Sequence, residues 1–236
     1  MDKPSQNRLL FIGLDDTDTL GTRGTGHLAR EIAAQLAMDS AVEGVTRHQL
    51  LVDPRVPYTA KNSSAAVILR KNGAYDLEGL MARVRVMVRA GHSLGSDPGL
   101  CIAHHVPPAV SSFGRRVQQQ VVAQEDARSL AAAHGLPLMG LGGSEQGVIG
   151  ALAAVGLAAA GDDGRYVLVG RSRDLVGLRP ISDLLDAGVA TVCTLDGREV
   201  TEGLVLTDKL RPARRRGRPV AVVQWASGYW QPLKLD

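Results

Sequence analysis

An uninterrupted apolar run near the start of the chain, Leu-Leu-Phe-Ile-Gly-Leu at residues 9–14, has the length of a β-strand and no polar alternation. Such a run is typical of a strand buried on both faces of a sheet. A loop with three carboxylates follows directly, and apolar residues at a spacing of four then predict a helix over residues 27–38. The chain therefore opens with a strand, an acidic loop and a helix.

The rest of the chain repeats this alternation of strands and helices. Aromatic residues make up only 3% of the sequence, so the core must consist of Ala, Val, Leu and Ile. We expect an α/β (α+β) fold with three parts. They are an α/β domain over residues 1–116, a ferredoxin-like split-sheet unit over 117–196, and a small β appendage with an arginine-rich loop over 197–236. Strands are predicted at 47–52, 65–70, 100–103, 166–169, 191–195, 199–201, 203–207 and 220–225, and helices at 76–90, 110–122, 126–133, 151–160 and 181–187.

Cysteine usage and hydropathy exclude several classes of protein. Cys101 and Cys193 stand far apart without a CxxC pair, which argues against a zinc site of the common spacing and against a disulfide framework. The weakly polar stretch 148–160 is too short to span a bilayer, and the chain opens with polar residues. We therefore expect a cytoplasmic protein without a membrane segment.

Positive charge is concentrated near the end of the sequence. The net charge is only +3, yet six basic residues fall close together in the tail. Such a cluster can neutralise the phosphates of a nucleic acid, and it can equally be a solvated surface loop. The basic residues are Lys209, Arg211, Arg214, Arg215, Arg216 and Arg218.

The acidic loop indicates a metal site. Asp15, Asp16 and Asp18 follow a buried strand, and a positive charge is needed to offset their mutual repulsion. Magnesium binds one or two carboxylates together with waters and phosphate oxygens, so we expect these side chains to hold Mg²⁺. The alternative is a solvated turn in which Asp18 or Thr25 only caps the helix.

Small and hydroxyl residues lie between the acidic loop and the helix, where backbone N–H groups can reach a phosphate. No GxxxxGK[ST] loop is present. The loop therefore predicts a metal–phosphate pocket of another kind, in which the nucleotide-binding residues are Thr17, Thr22, Gly24, Thr25 and Gly26.

The motif at residues 13–19, Gly-Leu-Asp-Asp-Thr-Asp-Thr, with Thr-Gly-His-Leu-Ala at 25–29, resembles the opening of the agmatinylcytidine synthetases that act on an isoleucine tRNA. Segments at 53–63, 96–99, 147–156 and 166–171 are similar to that family's segments in the same order. The resemblance covers about residues 8–175, and several colinear motifs are more specific than one.

This resemblance implies a kinase-like domain, followed by a ferredoxin-like domain within the matching part. It implies that Asp15, Asp16 and Asp18 bind ATP with Mg²⁺, and that Thr25 is a phosphorylated threonine. In the family, phosphorylation activates the carbonyl oxygen of a tRNA cytidine, and the amine of agmatine then displaces the phosphate. Gly24 and Asp97 replace a family Cys and Asn, and residues 176–236 lack the cysteines of a zinc ribbon, so the acceptor is left open.

Four further residues complete the candidate site. Lys61 can neutralise phosphate charge, and Asp97 is either a second metal or acceptor contact or the first residue of a turn. Gly147 and Gly150 allow either the approach of a small amine or nucleoside or tight helix–sheet packing.

The function expected from the sequence is an ATP- and Mg²⁺-dependent transferase or ligase that activates an acceptor by phosphorylation. Its partners would be ATP and either tRNA or a small amine or metabolite. Two alternatives remain, a small-metabolite kinase or amide-forming ligase without RNA, and a non-catalytic nucleotide-binding regulatory protein.

Overall fold

The computed structural model describes residues 9–58, 61–70, 76–208 and 210–235. Helices and strands alternate through the first two thirds, and short strands dominate the last third. The helices are α1 (Thr25–Leu36), α2 (Leu77–Gly91), α3 (Pro108–Gln119), α4 (Gln124–Ala133), α5 (Gly147–Ala160) and α6 (Ile181–Asp186). The strands are β1 (Leu9–Asp15), β2 (Ala41–Gln49), β3 (Ser63–Arg70), β4 (Gly99–Ala103), β5 (Leu138–Gly140), β6 (Arg165–Leu168), β7 (Leu178–Pro180), β8 (Thr191–Thr194), β9 (Leu204–Leu206), β10 (Ala213–Arg215), β11 (Arg218–Ala226) and β12 (Tyr229–Pro232).

The described strands form one sheet in the order β5-β4-β1-β3-β2-β6-β10-β11-β12-β9-β7, and β8 pairs with β11 outside this path. Neighbouring strands are antiparallel except for the pairs β11–β8 and β12–β9. The expected α+β class is therefore confirmed. Because β1 and β3 are antiparallel, the end of β1 lies beside the start of β3. We call this border, where the central strands begin or end, the edge of the sheet.

Two apolar cores cover the two faces of this sheet. Helices α1 and α2 pack on one face, against β1, β3 and β2, in a core that includes Ile12 and Leu69. Helices α3, α4 and α5 pack on the other face in a core that includes Phe11 and Ile68. Successive residues of β1 and β3 thus enter opposite cores, which explains why both sequences are apolar without alternation.

Helix α5 is apolar around its whole circumference because it is enclosed by the sheet and by α3. Glycines let these backbones approach each other closely. A Cβ at Gly13 would overlap the carbonyl oxygen of Ala151, and one at Gly156 would overlap that of Val110. These contacts fix α5 directly on β1, and so fix its N-terminus next to the loop that follows β1.

A third core lies in the last third of the chain, around Leu184, Val205 and Val223. It forms beneath α6 and the strands β8, β9, β11 and β12. Helix α5 (Gly147–Ala160) shares its core with β1 and β4. The division into kinase-like, ferredoxin-like and appendage domains at residues 116/117 and 196/197 stays a prediction.

The local predictions failed where tertiary contacts override composition. Strand β2 begins at Ala41, six residues before the predicted start, and includes a bulge between Val42 and Gly44 that the sequence does not announce. Helix α5 begins at Gly147 rather than Ala151, because buried backbone packing outweighs the low helix propensity of glycine. Residues 199–201 are not a strand; Glu199 forms only an isolated bridge to Cys193.

Candidate active site

The acidic loop lies at one edge of the sheet, where β1 and β2 end and β3 begins. In parallel sheets, ligand sites lie at the carboxyl ends of the strands. Here the sheet is antiparallel, and the amino end of β3 joins the carboxyl ends of β1 and β2. The N-terminus of α5 completes the edge, since it packs on β1.

A cavity of about 670 Å³ opens at this edge. Its volume falls within the range of small-molecule sites in proteins. Six of the predicted site residues line it, although they come from separate segments of the sequence. They are Asp15, Asp16, Asp18, Thr25, Lys61 and Gly150.

Asp15 carries the most strongly perturbed carboxyl group of the cavity. Burial raises its pKa to about 8, with a further contribution from the charges of Asp16 and Asp18, while the backbone N–H of Asp16 opposes the shift. A Cβ on Gly150 would overlap the Asp15 carboxylate. The glycine therefore allows α5 to close over this side chain, so Gly150 serves close packing of the acidic group as well as lining the cavity.

Asp16 has a left-handed backbone, with φ of 51°, a conformation in which Asp is enriched among non-glycine residues. Burial raises the pKa of its carboxyl group to about 6, and the charges of Asp97 and Asp18 raise it as well. The backbone N–H of Asp97 lowers this pKa. Two carboxyl groups with raised pKa values at one cavity are typical of a functional site.

Asp18 and Thr25 form a hydrogen-bonded unit at the start of α1. Asp18 Oδ1 accepts from the backbone N–H of Thr25 at 3.0 Å and from its hydroxyl at 3.1 Å. The Thr25 hydroxyl in turn accepts from the Thr17 hydroxyl at 3.1 Å and from the Thr17 backbone N–H at 3.3 Å. The capping contact that the sequence left open therefore exists, and it holds the Thr25 hydroxyl at the wall of the cavity.

The predicted three-carboxylate metal site is only partly assembled. Within the ranges that the structure describes, no group of three His, Cys, Asp or Glu side chains is placed to hold a metal ion. The charges of all three carboxylates repel one another, but Asp18 Oδ1 is engaged by the backbone N–H and the hydroxyl of Thr25. Because Mg²⁺ needs only one or two carboxylates when phosphate oxygens and waters complete its shell, the donor set fits a magnesium nucleotide held by Asp15 and Asp16.

The remaining predicted residues lie outside the cavity lining. Thr17 is buried behind Thr25, and Thr22 bonds to Thr19 and Ser93. Gly24 is the N-cap of α1, and Gly26 follows in its first turn with open space around its α-carbon.

Asp97 and Gly147 tie the loops around the cavity to one another. Asp97 accepts from the backbone N–H of Ser144 at 3.0 Å and from its hydroxyl. Gly147 donates its N–H to the carbonyl oxygen of Asp97 at 3.0 Å, and its missing Cβ leaves room for that oxygen.

Cationic groups approach the cavity from two sides. Lys61 is exposed and lines it from the segment before β3. Arg55 also lines it but is paired with Asp53 at 2.8 Å, and Arg128 is paired with Glu145. Lys61 therefore stays the predicted partner for phosphate charge.

Sequence reasoning missed the apolar walls of the cavity. They come from the end of β2, the segment before β3, the end of α3 and the start of α5. No local signal marks these residues, since their role depends on how distant segments pack. The apolar wall residues are Leu50, Leu51, Val56, Pro57, Tyr58, Val117, Val121, Val122 and Ile149.

A buried polar row behind the cavity was also missed. His48 lies opposite Ser64 in the β2–β3 register, donates from Nδ1 to the Asp163 carboxylate at 2.7 Å, and contacts the Thr46 hydroxyl through Nε2 at 2.9 Å. Burial lowers the pKa of His48 despite the adjacent carboxylate. Gln118 of α3 donates to Asp163 at 2.9 Å, so the row holds the helix that supplies Val117 to the cavity wall.

The predicted RNA-binding tail is not a solvated loop. Residues 213–226 form the β10–β11 hairpin, in which Arg214 is buried with 3% exposure. Its guanidinium donates to the carbonyl oxygens of Ala158 and Gly217, at 3.0 and 2.9 Å, and to the hydroxyl of Tyr166. Arg214 therefore has a structural role, because its buried guanidinium supplies the hydrogen-bond donors for these groups. Lys209 lies outside the described residues.

Comparison with solved structures identifies proteins of the same fold. A crystal structure of a tRNA fluorescent labeling enzyme aligns with a TM-score of 0.56 and 23% identity, over 63% of this chain and 36% of that chain. The complex of TiaS with an isoleucine tRNA and ATP aligns with a TM-score of 0.56 and 22% identity over the same shares of each chain. Apo TiaS, an agmatidine synthetase for that tRNA, aligns with a TM-score of 0.52 and 21% identity, over 63% of this chain and 35% of that chain.

No family model matches this chain, and neither does any curated protein. The chain spans about a third of the length of the TiaS structures. Among the described residues, no helix is both long and apolar enough to cross a membrane. Over the matched part, this chain has the fold of the TiaS agmatidine synthetase structures, as the order of its motifs predicted.

Proposed function

We propose that this protein transfers a phosphoryl group from a magnesium nucleotide to an acceptor, in the manner of a tRNA-modifying ligase. The observation that carries the proposal is the cavity, where three separate segments of the sequence bring six predicted residues together, and two of the six are carboxyl groups of raised pKa. The solved structures of the same fold include TiaS bound to an isoleucine tRNA with ATP, and to the same tRNA with AMPCPP and agmatine. ATP, tRNA and a small amine are therefore the first ligands to test.

Each polar residue of the cavity has a role in this proposal. A bound magnesium nucleotide supplies the phosphoryl group and the cation that offsets its charge. Asp15 and Asp16 bind that cation once they are deprotonated. Lys61 contributes a further positive charge beside the phosphates, since phosphoryl transfer depends mainly on positioning and charge neutralisation.

Thr25 is the proposed site of phosphorylation on the protein itself. Its hydroxyl donates to Asp18 Oδ1 at 3.1 Å, so Asp18 is placed to accept the hydroxyl proton when the oxygen attacks phosphorus. The new bond joins Thr25 Oγ1 to the γ-phosphorus, and the bond from that phosphorus to the β–γ bridging oxygen breaks as ADP leaves. Thr17 fixes the rotamer of Thr25 through its hydroxyl and its backbone N–H.

The test is transfer of labelled γ-phosphate from ATP with Mg²⁺, using wild type, Asp16→Asn and the control Asp186→Asn, which alters an exposed carboxylate of α6. We expect ADP formation and a phosphate on Thr25 by peptide mass spectrometry, both lost in Asp16→Asn and kept in the control. Absence of ADP formation and of modified Thr25 in the wild type would refute the proposal.

A free small-molecule acceptor is the second candidate. The cavity combines apolar walls with acidic groups in about 670 Å³, which suits a small amine or metabolite without RNA. Comparing ADP formation with agmatine alone, with tRNA alone and with both separates the two candidates, because only the RNA-dependent reaction requires tRNA.

A further inference from the structure

Five arginines, which we call the arginine face, lie on the side of the sheet that α1 covers. Arg47 of β2 lies directly opposite Arg165 of β6, and Arg165 lies opposite Ala213 of β10. Residues that are directly opposite in a sheet point to the same face, and Arg211 lies two residues before Ala213. Arg30 belongs to α1, and Arg173 of the loop after β6 donates from its guanidinium to the carbonyl oxygen of Val167 in β6 at 3.1 Å.

The same face is apolar further along these strands. Val45 and Val167 lie two residues from Arg47 and Arg165, and both pack into the core beneath α1. Arg47 and Arg165 therefore lie on the same face of the sheet as this core, just beyond the part that α1 covers. With a net charge of only +3, general basicity of the chain does not account for this concentration of charge.

The charges of four of these arginines influence one another. Burial lowers the pKa of Arg211, and the charges of Arg173, Arg165 and Arg30 lower it further. Burial also lowers the pKa of Arg30, again with a contribution from Arg173, while the charge of Glu31 opposes this shift. Like charges that disfavour one another in this way favour the binding of an anion.

The arginine face borders the cavity. Arg47 Nε donates to Ser63 Oγ at 2.9 Å, and Ser63 lines the cavity. On α1, Arg30 Nε donates to the carbonyl oxygen of Gly26 at 3.3 Å, one residue after Thr25. A polyanion lying on the face would therefore reach the mouth of the cavity.

We propose that the arginine face binds the phosphate backbone of RNA. Arginine is the residue that recognises phosphate through a planar, bidentate fork, and all five cations are arginine. Their arrangement across neighbouring strands matches an extended row of phosphates better than a single anion. This inference rests on the proposed function for the choice of RNA, although binding itself requires no ATP turnover.

The experiment measures anisotropy of a fluorescent, unmodified tRNA transcript bound to the full chain at several salt concentrations. Arg173→Gln/Arg211→Gln is compared with Arg115→Gln/Arg198→Gln, which removes two exposed arginines elsewhere. We expect the first pair to weaken binding about tenfold and to reduce the slope of log K against log salt by about 1.5, and the control to do neither. Arg173→Gln alone, at an exposed position, should weaken binding about threefold even if the double variant folds poorly.

Equal binding by wild type and the arginine-face variants, or equal loss in the control pair, would overturn the proposal. So would displacement of the RNA by polyglutamate at equal charge, which would assign the face to an acidic polypeptide. ADP formation without RNA is measured on the same preparations. Arginine-face variants that lose RNA but keep turnover support the inference, whereas a wild type that binds RNA through this face without turnover contradicts only the proposed function.

Discussion

At the scale of single residues, the cavity brings acidic side chains together in a buried position that disfavours their charged form. Asp15 has a pKa of about 8 and Asp16 one of about 6, against ordinary values near 3.8. Between about pH 4 and pH 8, the native state therefore holds protons that the unfolded chain has released. Stability must fall as the pH rises through that window, since the unfolded state then binds fewer protons than the native state.

Asp15→Asn should therefore stabilise the ligand-free protein while it impairs the proposed activity. The amide carries no charge, so the gain is absent near pH 4, grows as the pH rises and levels off above about pH 8. We expect a gain of at least about 1 kcal/mol at pH 8, the equivalent of less than one pKa unit. Urea unfolding at pH 4, 6 and 8 measures it, and a variant less stable than wild type at pH 8 would contradict the assigned pKa.

Binding of a magnesium nucleotide should strengthen with pH across the same window. The carboxylates must lose their protons before they bind a cation, so affinity rises between about pH 6 and pH 8 and protons are released. The dependence is at most about tenfold per pH unit for each proton. Calorimetry in buffers of different ionisation enthalpy counts these protons. In Asp15→Asn, the part of the dependence near pH 8 should disappear.

Gly150→Ala should disrupt the acidic site through one added methyl group. Its Cβ would overlap the Asp15 carboxylate, so either α5 or Asp15 must move. We expect a loss of stability of about 1–3 kcal/mol and a loss of nucleotide binding. Gly156→Ala on the same helix overlaps Val110 instead and serves as the control. It should cost stability without affecting nucleotide affinity in the folded protein; equal nucleotide affinity in both variants would rule out this role of Gly150.

At the scale of elements, the hairpin β10–β11 locks the end of α5. Arg214 bonds to the carbonyl oxygen of Ala158, and the backbone N–H of Gly217 bonds to that of Gly161 at 2.9 Å. Helix α5 in turn carries Gly150 at its other end, in the cavity lining. A tail arginine thus supports the helix that shapes the cavity.

Arg214→Met should destabilise the protein by about 2–4 kcal/mol, because it leaves buried carbonyl oxygens and a tyrosine hydroxyl without their donor. Arg218→Gln, at an exposed position of the same hairpin, should change stability by less than about 0.5 kcal/mol. Thermal and urea unfolding of the two variants check this difference. A loss of RNA affinity in Arg214→Met without any loss of stability would instead support the interpretation that this arginine binds the phosphates of a nucleic acid.

The sequence predicted correctly those elements whose conformation follows from the local sequence alone. Strand β1 and helix α1 follow directly from apolar runs and spacing, and Asp76 caps α2 as expected by accepting from the N–H of Gly79 at 2.9 Å. The early start of β2 and of α5 could not be predicted, because Gly44 and Gly147 disfavour regular structure by themselves. Their conformations are fixed by packing against distant backbone.

At the scale of the whole molecule, the acidic half of the site was readable from sequence, and its apolar half was not. Asp15, Asp16, Asp18 and Thr25 belong to one short motif, whose local chemistry already indicates a cation and a phosphate. Residues such as Val117 and Ile149 line the same cavity only because α3 and α5 fold over the sheet edge. The arginine face was hidden for the same reason, since its members come from α1, β2, β6 and the segments that flank β6 and β10.

The central claim is that the cavity at the edge of the sheet binds a magnesium nucleotide through Asp15 and Asp16. The most direct measurement is calorimetric titration of the full chain with AMPCPP, with and without Mg²⁺, for wild type, Asp16→Asn and Asp186→Asn. The account predicts Mg²⁺-dependent binding in wild type and in Asp186→Asn, and its loss in Asp16→Asn. An affinity for AMPCPP that is the same with and without Mg²⁺ and in Asp16→Asn, or no binding at all, would contradict it.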